Sequence, residues 1–331
     1  MTTLQTARKY EELLGSDVEA APYDYAMLFK AEGFWDRQRA QKRFKLLKAV
    51  DPKLRRILLP GEKVYFLTPG TTVSLGERFF VGWLAYYLNM RALAFTSSRV
   101  VLLQINSRKR LRELVSQMPY ATISSIKSTW NGLCRVKLVN RTTFNFQHVP
   151  RADRKLLSKF LLGIVQGTNA PFQRDRGIEH LCPHCFTVVP GYPLVCPECQ
   201  GRFKSAGKAG LRSFLFPGLG DWYLGHRAFA VFEMIGAGFL WFALVILPLL
   251  PAADSPAGSH DKVYWITAGL ILLVTHSISG MMAHHFARKG HHPEGVAPDQ
   301  SSASVQGAAV SLPKPDMTAS KKLTLNRPPP G

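Results

Sequence analysis

The chain has 331 residues, 46% of them apolar, and a formal net charge of +20 at neutral pH. That length exceeds one ordinary domain, and the apolar content excludes a wholly disordered chain. Five cysteines, four of them in two CxxC pairs, exclude a disulfide-stapled scaffold and point to metal binding in a reducing compartment.

The charge is uneven. Lys and Arg outnumber Asp and Glu by 16 within residues 1–167, so acidic partners are expected there, either anionic lipid headgroups or nucleic acid. Residues 1–30 hold no apolar core long enough for a cleavable signal peptide, which predicts a cytoplasmic amino-terminal part. Residues 1–56 read as a polar helical region interrupted at Pro22 and Gly33. Within it, Phe34 to Val50 sets Phe34, Trp35, Phe44, Leu46, Leu47 and Val50 among six bases. Such a helix either lies on an anionic bilayer or packs its apolar stripe on the next domain.

From Leu58 the texture changes to short β-branched and aromatic runs punctuated by turns. Strands are expected at Lys63–Thr68, Arg91–Thr96, Arg99–Ile105, Leu111–Val115, Ile123–Trp130, Arg135–Val139 and Thr143–Gln147, with hairpin turns at Asn131-Gly132 and Asn140-Arg141. Leu156, Leu157, Phe160, Leu161 and Ile164 then mark one face of a helix over Arg151–Val165. Seven strands and one closing helix imply a small β-sandwich or barrel. The segments AFTSSRVVLLQ (Ala94–Gln104), MPYATISSIKS (Met118–Ser128) and KLVNRTTFNF (Lys137–Phe146) resemble those of bacterial PH-like domains, relatives of the pleckstrin-homology and GRAM folds, over residues 57–167. The resemblance implies binding of phospholipid heads or proteins, or a scaffold role. The apolar insertion Phe79–Leu88, with Trp83, Tyr86 and Tyr87, is too short to span a bilayer; it is either part of the core or dips into a membrane interface.

In residues 168–206, Cys182-Pro-His-Cys185 and Cys196-Pro-Glu-Cys199 are separated by ten residues. Each CxxC turn aims two thiolates at one point, so Cys182, Cys185, Cys196 and Cys199 can close a tetrahedral sulfur cage. The pattern is similar to zinc ribbons and implies structural Zn2+, with iron of the rubredoxin kind as the rival because it takes the same four sulfurs. Four thiolates leave no open coordination position, so the centre is structural; His180 and His184 are not needed as ligands.

Leu211–Gly225 (LRSFLFPGLGDWYLG) leads into two apolar runs, Phe229–Leu250 and Val263–Ala287. As a helix the first run rises about 33 Å, enough to cross a hydrocarbon core. The polar stretch PAADSPAGSHDK joins them, and bases at Lys208, Arg212, Arg227, Arg288 and Lys289 flank the outer ends, which predicts a two-span hairpin with both termini cytoplasmic. Pro217, Gly218, Gly220, Tyr223, Leu224, Gly225 and Arg227 resemble the signature of the TM-two domain over residues 207–290. Glu233 and His276, costly in lipid, are expected to face protein, water or each other. Histidines 284, 285, 291 and 292 would form a polar flank or a weak surface metal site, and residues 291–331 a disordered tail.

No nucleophile with a base, phosphate-cradling glycine loop or paired carboxylate site is visible in the sequence. The expectation is therefore a multi-domain α+β membrane protein without enzymatic activity, resident in a bacterial inner membrane. It would act as an adaptor that binds a protein partner or anionic lipid and can form a homo-oligomer. The alternatives are a membrane-tethered nucleic-acid binder and an oligomeric channel or transporter subunit resting on Glu233 and His276.

Overall fold

Alternation along the strands decides what each face of the sheet meets. The computed structural model describes residues 3–14, 22–29, 34–129, 133–151, 153, 154, 157, 177–250 and 262–295. Its strands are β1 (Val64–Thr72), β2 (Met90–Thr96), β3 (Arg99–Ile105), β4 (Leu111–Pro119), β5 (Ile123–Ser128), β6 (Cys134–Leu138), β7 (Thr143–Gln147) and β8 (Glu179–Leu181). They pair antiparallel in the order β5-β6-β7-β1-β2-β3-β4-β8. The fold is thus mixed α+β around an antiparallel sheet, with all seven expected strands present. β1 and β4 run four residues further than their pattern suggested, through Pro69 and Gly70 in one case and to Pro119 in the other. The Asn140-Arg141 turn is present, with Arg141 at φ 65° and its amide donating to the Leu138 carbonyl. Asn131 and Gly132 lie outside the described residues, as does most of the closing helix expected over Arg151–Val165.

Successive residues of a strand point to opposite faces, so β2 and β3 supply two cores at once. Leu93, Phe95, Val100 and Leu102 meet Met118, Ile126, Val136, Leu138 and Phe146 where β5–β7 fold back across β1–β4. Ala92, Ala94, Val101, Leu103 and Ile105 face three amino-terminal helices, α1 (Thr3–Leu14), α2 (Tyr25–Leu28) and α3 (Phe34–Ile57). The stripe Leu46, Leu47, Val50, Leu54 and Ile57 of α3 is buried on this face. The basic amphipathic helix therefore packs on the sheet, with Arg37, Arg39, Lys42, Lys45 and Lys48 left exposed on its outer side.

A buried polar lock joins the end of α3 to the β2–β3 hairpin. Arg99 donates to both carboxylate oxygens of Glu62, at 3.1 and 2.8 Å, and to the Ile57 carbonyl at 2.9 Å. Glu62 also accepts from the Leu59 amide and the Thr96 and Ser98 hydroxyls. Every lone pair that burial strips of water is thereby replaced, which is the condition for a buried ion pair to persist. On the other side, Arg43 of α3 donates to Asp153 at 2.7 Å, and the same carboxylate accepts from Thr68 at 2.7 Å.

The insertion between β1 and β2 forms two short helices, α4 (Leu75–Val81) and α5 (Leu84–Leu88). Ser74 and Glu77 make a capping box at the start of α4, each satisfying a backbone amide of the other. Val81, Leu84 and Leu88 point inward, while Phe79, Phe80, Trp83 and Tyr87 are 82%, 48%, 65% and 50% exposed.

After the cysteine segment come α6 (Ala206–Leu215), α7 (Leu219–Leu224) and two long apolar helices, α8 (Arg227–Leu249) and α9 (Lys262–Ala287). The inward residues of α4 and α5 pack with Ala209, Leu224, Phe229, Ala283 and Phe286 where α8 begins and α9 ends. Three glycines allow this base to close. Gly218 adopts φ 94° at the start of α7, and a Cβ there would stand 2.6 Å from the Ala230 carbonyl. A Cβ on Gly220 would stand 2.1 Å from the Ala209 carbonyl, and one on Gly210 3.2 Å from that of Gly280. Further along the hairpin, a π-helical turn at Phe242–Ile246 leaves the Leu244 carbonyl to accept the Tyr264 hydroxyl at 3.0 Å.

Candidate metal centre

β8 brings the first cysteine pair to the edge of the sheet. Glu179, His180 and Leu181 pair with Gln117, Ser116 and Val115 of β4, and Cys182 follows directly. The cysteine module thus continues the main sheet; contacts also run across the expected limits at 56/57 and 167/168.

The two CxxC segments make matching turns. The Phe186 amide donates to the Cys182 carbonyl and the Gln200 amide to the Cys196 carbonyl, both at 3.0 Å. The Cys182 and Cys196 amides in turn donate to the carbonyls of Thr187 and Gly201, both at 2.9 Å. Phe186 and Gln200 occupy equivalent positions at φ 62° and 57°, a region that disfavours side chains with a Cβ. Two strained residues at equivalent places imply that whatever gathers the sulfurs over-determines the backbone there. No glycine marks either position, so this strain was not legible from the sequence.

The four sulfurs lie within 4.8 Å of one another. Cys182 Sγ is 3.7 Å from Cys199 Sγ, and Cys185 Sγ is 3.7 Å from Cys196 Sγ. Sulfurs placed about 2.3 Å from a central tetrahedral ion would be about 3.8 Å apart. The spacing fits a metal and does not fit disulfides, whose sulfurs are about 2 Å apart. The His184 amide donates to Cys182 Sγ at 3.4 Å, and the Thr187 hydroxyl stands 3.0 Å from Cys185 Sγ, contacts suited to thiolate charge. The His184 ring covers Gly201, where a Cβ would come within 2.5 Å of it. His180 sits on β8 with Nδ1 2.9 Å from the Ser116 hydroxyl. Among the described residues these four cysteines are the group whose ligand atoms converge in this way.

Residues 291–295 correct the expected tail. His291 and His292 are buried, with Nε2 at 3.2 Å from the Val189 carbonyl and 3.4 Å from the Phe286 carbonyl respectively. Phe203 stacks on His291, the Lys204 amide donates to the His292 carbonyl, and that of Glu294 to the Arg202 carbonyl. The chain leaving α9 therefore returns to the cysteine module and is held on it by ring stacking and backbone hydrogen bonds. Residues beyond 295 lie outside the described residues.

Of the two polar residues singled out in the long helices, His276 has partners on both ring nitrogens. His276 Nδ1 lies 2.7 Å from the Phe214 carbonyl and its Nε2 accepts from Trp241 Nε1 at 3.1 Å, which sets the tautomer with hydrogen on Nδ1. Asp221 Oδ1 lies 2.9 Å from His226 Nδ1, while Asp221 Oδ2, Glu233 Oε2 and Ser279 Oγ are buried and meet no hydrogen-bond partner among the described residues. Asp221 and His226 were absent from the sequence reading; only their place inside a turn motif hinted at them.

A second charged seam fastens the hairpin to the sheet domain. Lys289 pairs with Glu77 and donates to Asn89 Oδ1 at 2.6 Å, and His285 Nε2 lies 3.2 Å from Glu77. Burial alone would raise the Glu77 carboxyl, but the His285 and Lys289 donors hold it down to about 2. Lys289 is pushed down to about 8 by burial, with Glu77 opposing.

No protein-family model matches the sequence, and a search of curated proteins found no match. Among solved structures, one similar chain is an N-terminally truncated linker with the DH/PH domains of p115-RhoGEF, at 12% identity and a TM-score of 0.27. The match covers 50% of this chain and 56% of that one. A likeness so slight leaves the reading of function to the residues themselves.

Proposed function

We propose that this chain is a membrane-anchored, non-enzymatic adaptor. In this reading α8 and α9 cross a bacterial inner membrane, and a PH-like sheet domain with a structural zinc ribbon sits on the cytoplasmic surface, where it binds a protein partner or anionic lipid headgroups. The observation that carries it is the exposure of the two long helices. They have mean hydropathies of 2.2 and 1.6, yet only 11% and 28% of their most apolar windows are buried. Helices this apolar are buried in a water-soluble protein, so their uncovered surface calls for lipid. The exposed bases Arg227 and Arg288 stand where α8 starts and α9 ends, the end against which α4 and α5 pack while exposing Phe79, Phe80, Trp83 and Tyr87. Aromatic and basic side chains together suit the headgroup layer.

Cysteine-accessibility labelling tests this reading. Ser255→Cys should react with an impermeant maleimide on intact cells, and Ser301→Cys only after permeabilisation. Labelling of both from one side would refute the hairpin.

A further inference from the structure

A cavity of about 680 Å³ opens between the inner face of the sheet and the end of α9. Its walls come from four places. Val73 and Ser74 lead into α4, Asn140 and Thr142 belong to the β6–β7 turn, Leu102 and Ser116 lie on the sheet, and His285, Arg288 and Lys289 descend from α9. On β2, Arg91 shares the inward face with Leu93 and Phe95 because the three are two residues apart.

Arg91 is the unusual member. It is 95% buried, being 5% exposed, and its Nη1 meets no acceptor among the described residues. A guanidinium is protonated near neutral pH and carries only donors, so a buried one without an acceptor leaves a donor unmet. Glu77 offsets part of the Arg91 charge through space but accepts no hydrogen bond from it, its carboxylate being paired with Lys289 and His285 and accepting from the Ser74 amide. The lining itself holds the cations of Arg91, Arg288 and Lys289 and no carboxylate. Arg288 is exposed at the rim, with its guanidinium 5.2 Å from the Tyr192 ring. The β6–β7 turn adds the Asn140 side-chain amide and the Thr143 hydroxyl, the Thr142 hydroxyl being taken up by Asn140 Oδ1 at 2.6 Å, while Leu102, Phe144 and Ile178 make part of the wall apolar.

We propose that this cavity is a binding site for a phosphate-bearing anion, with Arg91 as the buried ligand to a phosphate oxygen and Arg288 as the cation at its mouth. Planar guanidinium donors match phosphate oxygens in geometry as well as charge. The phosphate has two sources, a phospholipid headgroup or a free phosphate compound. The lipid source rests on the membrane reading above, in which the end of α9 brings the cavity mouth to the bilayer surface; a free phosphate does not need it.

The test uses the full chain in an uncharged maltoside detergent and native mass spectrometry with three probes: dioleoyl phosphatidylglycerol, dioleoyl phosphatidylcholine and inorganic phosphate. Arg91→Met keeps the volume and removes the charge. Arg288→Gln changes an exposed residue and tests the site even if Arg91→Met fails to fold. Phosphatidylglycerol should bind in preference to phosphatidylcholine, and each variant should weaken it about tenfold or more. Should inorganic phosphate bind instead, with the same loss in both variants, the site stands and its ligand is a free phosphate. If the chain proves soluble without detergent, the membrane reading fails while the phosphate arm still tests the cavity. Equal retention of phosphatidylglycerol and inorganic phosphate by wild type and Arg288→Gln overturns the proposal.

Discussion

Replacing Gly220 by Ala adds one carbon at the most crowded point of the hairpin base. The new Cβ would stand 2.1 Å from the Ala209 carbonyl oxygen, 2.6 Å from Ser213 Oγ and 2.8 Å from Ala283 Cβ. An ordinary carbon–oxygen contact is about 3.3 Å, so the carbonyl or α7 must retreat by about 1 Å. The obstructing atom is backbone within α6, which cannot rotate away as a side chain can. Moving α7 also breaks the hydrogen bond from the Gly220 amide to Ser213 Oγ, now 2.9 Å. Overpacking of this kind together with a lost buried hydrogen bond costs about 2–4 kcal/mol. At about 2–4 °C per kcal/mol for a chain of this size, thermal unfolding of the detergent-solubilised protein should move down by about 5 °C or more. Gly236 is the control, because it lies within α8 with nothing inside 4 Å of its would-be Cβ. Gly236→Ala should be neutral or slightly stabilising, since alanine favours helix over glycine by about 1 kcal/mol. Both variants are compared at one scan rate. Should Gly220→Ala unfold together with Gly236→Ala, the close packing of α6 against α7 is wrong.

Two further outcomes follow from the charged and sulfur-rich sites. Purified protein should carry one equivalent of zinc, and Cys182→Ser should lose it together with hydrogen-exchange protection of the β4–β8 pairing, while α8 and α9 stay inserted; metal analysis showing neither zinc nor iron would defeat the centre. Glu77 ionises more easily in the folded protein than its ordinary value of 4.5. Its contribution, about 3 kcal/mol, is therefore present above pH 4.5 and lost as pH falls toward about 2, a range in which Lys289 stays cationic. Hydrogen exchange in α4 should accelerate over that window in the wild type and show no such pH step in Glu77→Gln; an identical response in the two would remove Glu77 from the seam.

Local pattern by itself determined much of this protein. Short β-branched and aromatic runs bounded by turns marked seven strands, because strand propensity and turn chemistry are written in neighbouring residues. Two CxxC turns announced converging sulfurs, since a cysteine pair at that spacing closes its own turn. Two long apolar runs stood out because their composition has no balancing polar face. Tertiary structure alone decided which surfaces meet. The stripe of α3 can face lipid or protein, packing on a neighbouring domain being the commoner use of such a stripe, and the sheet beneath Leu46, Leu47 and Val50 decides for protein. The insertion at 79–88 splits by face, with Val81, Leu84 and Leu88 packed inward and Phe79 and Trp83 left outside. The turn after α9 reads as a polar tail, yet His291 and His292 are buried by residues nearly 90 positions away. Arg91 looks like an ordinary strand base in sequence. Its Nη1 stays without an acceptor while Glu77, the acid that acts on it through space, pairs with Lys289, a residue about 200 positions further along the chain, and no local pattern can report a competition between partners so distant.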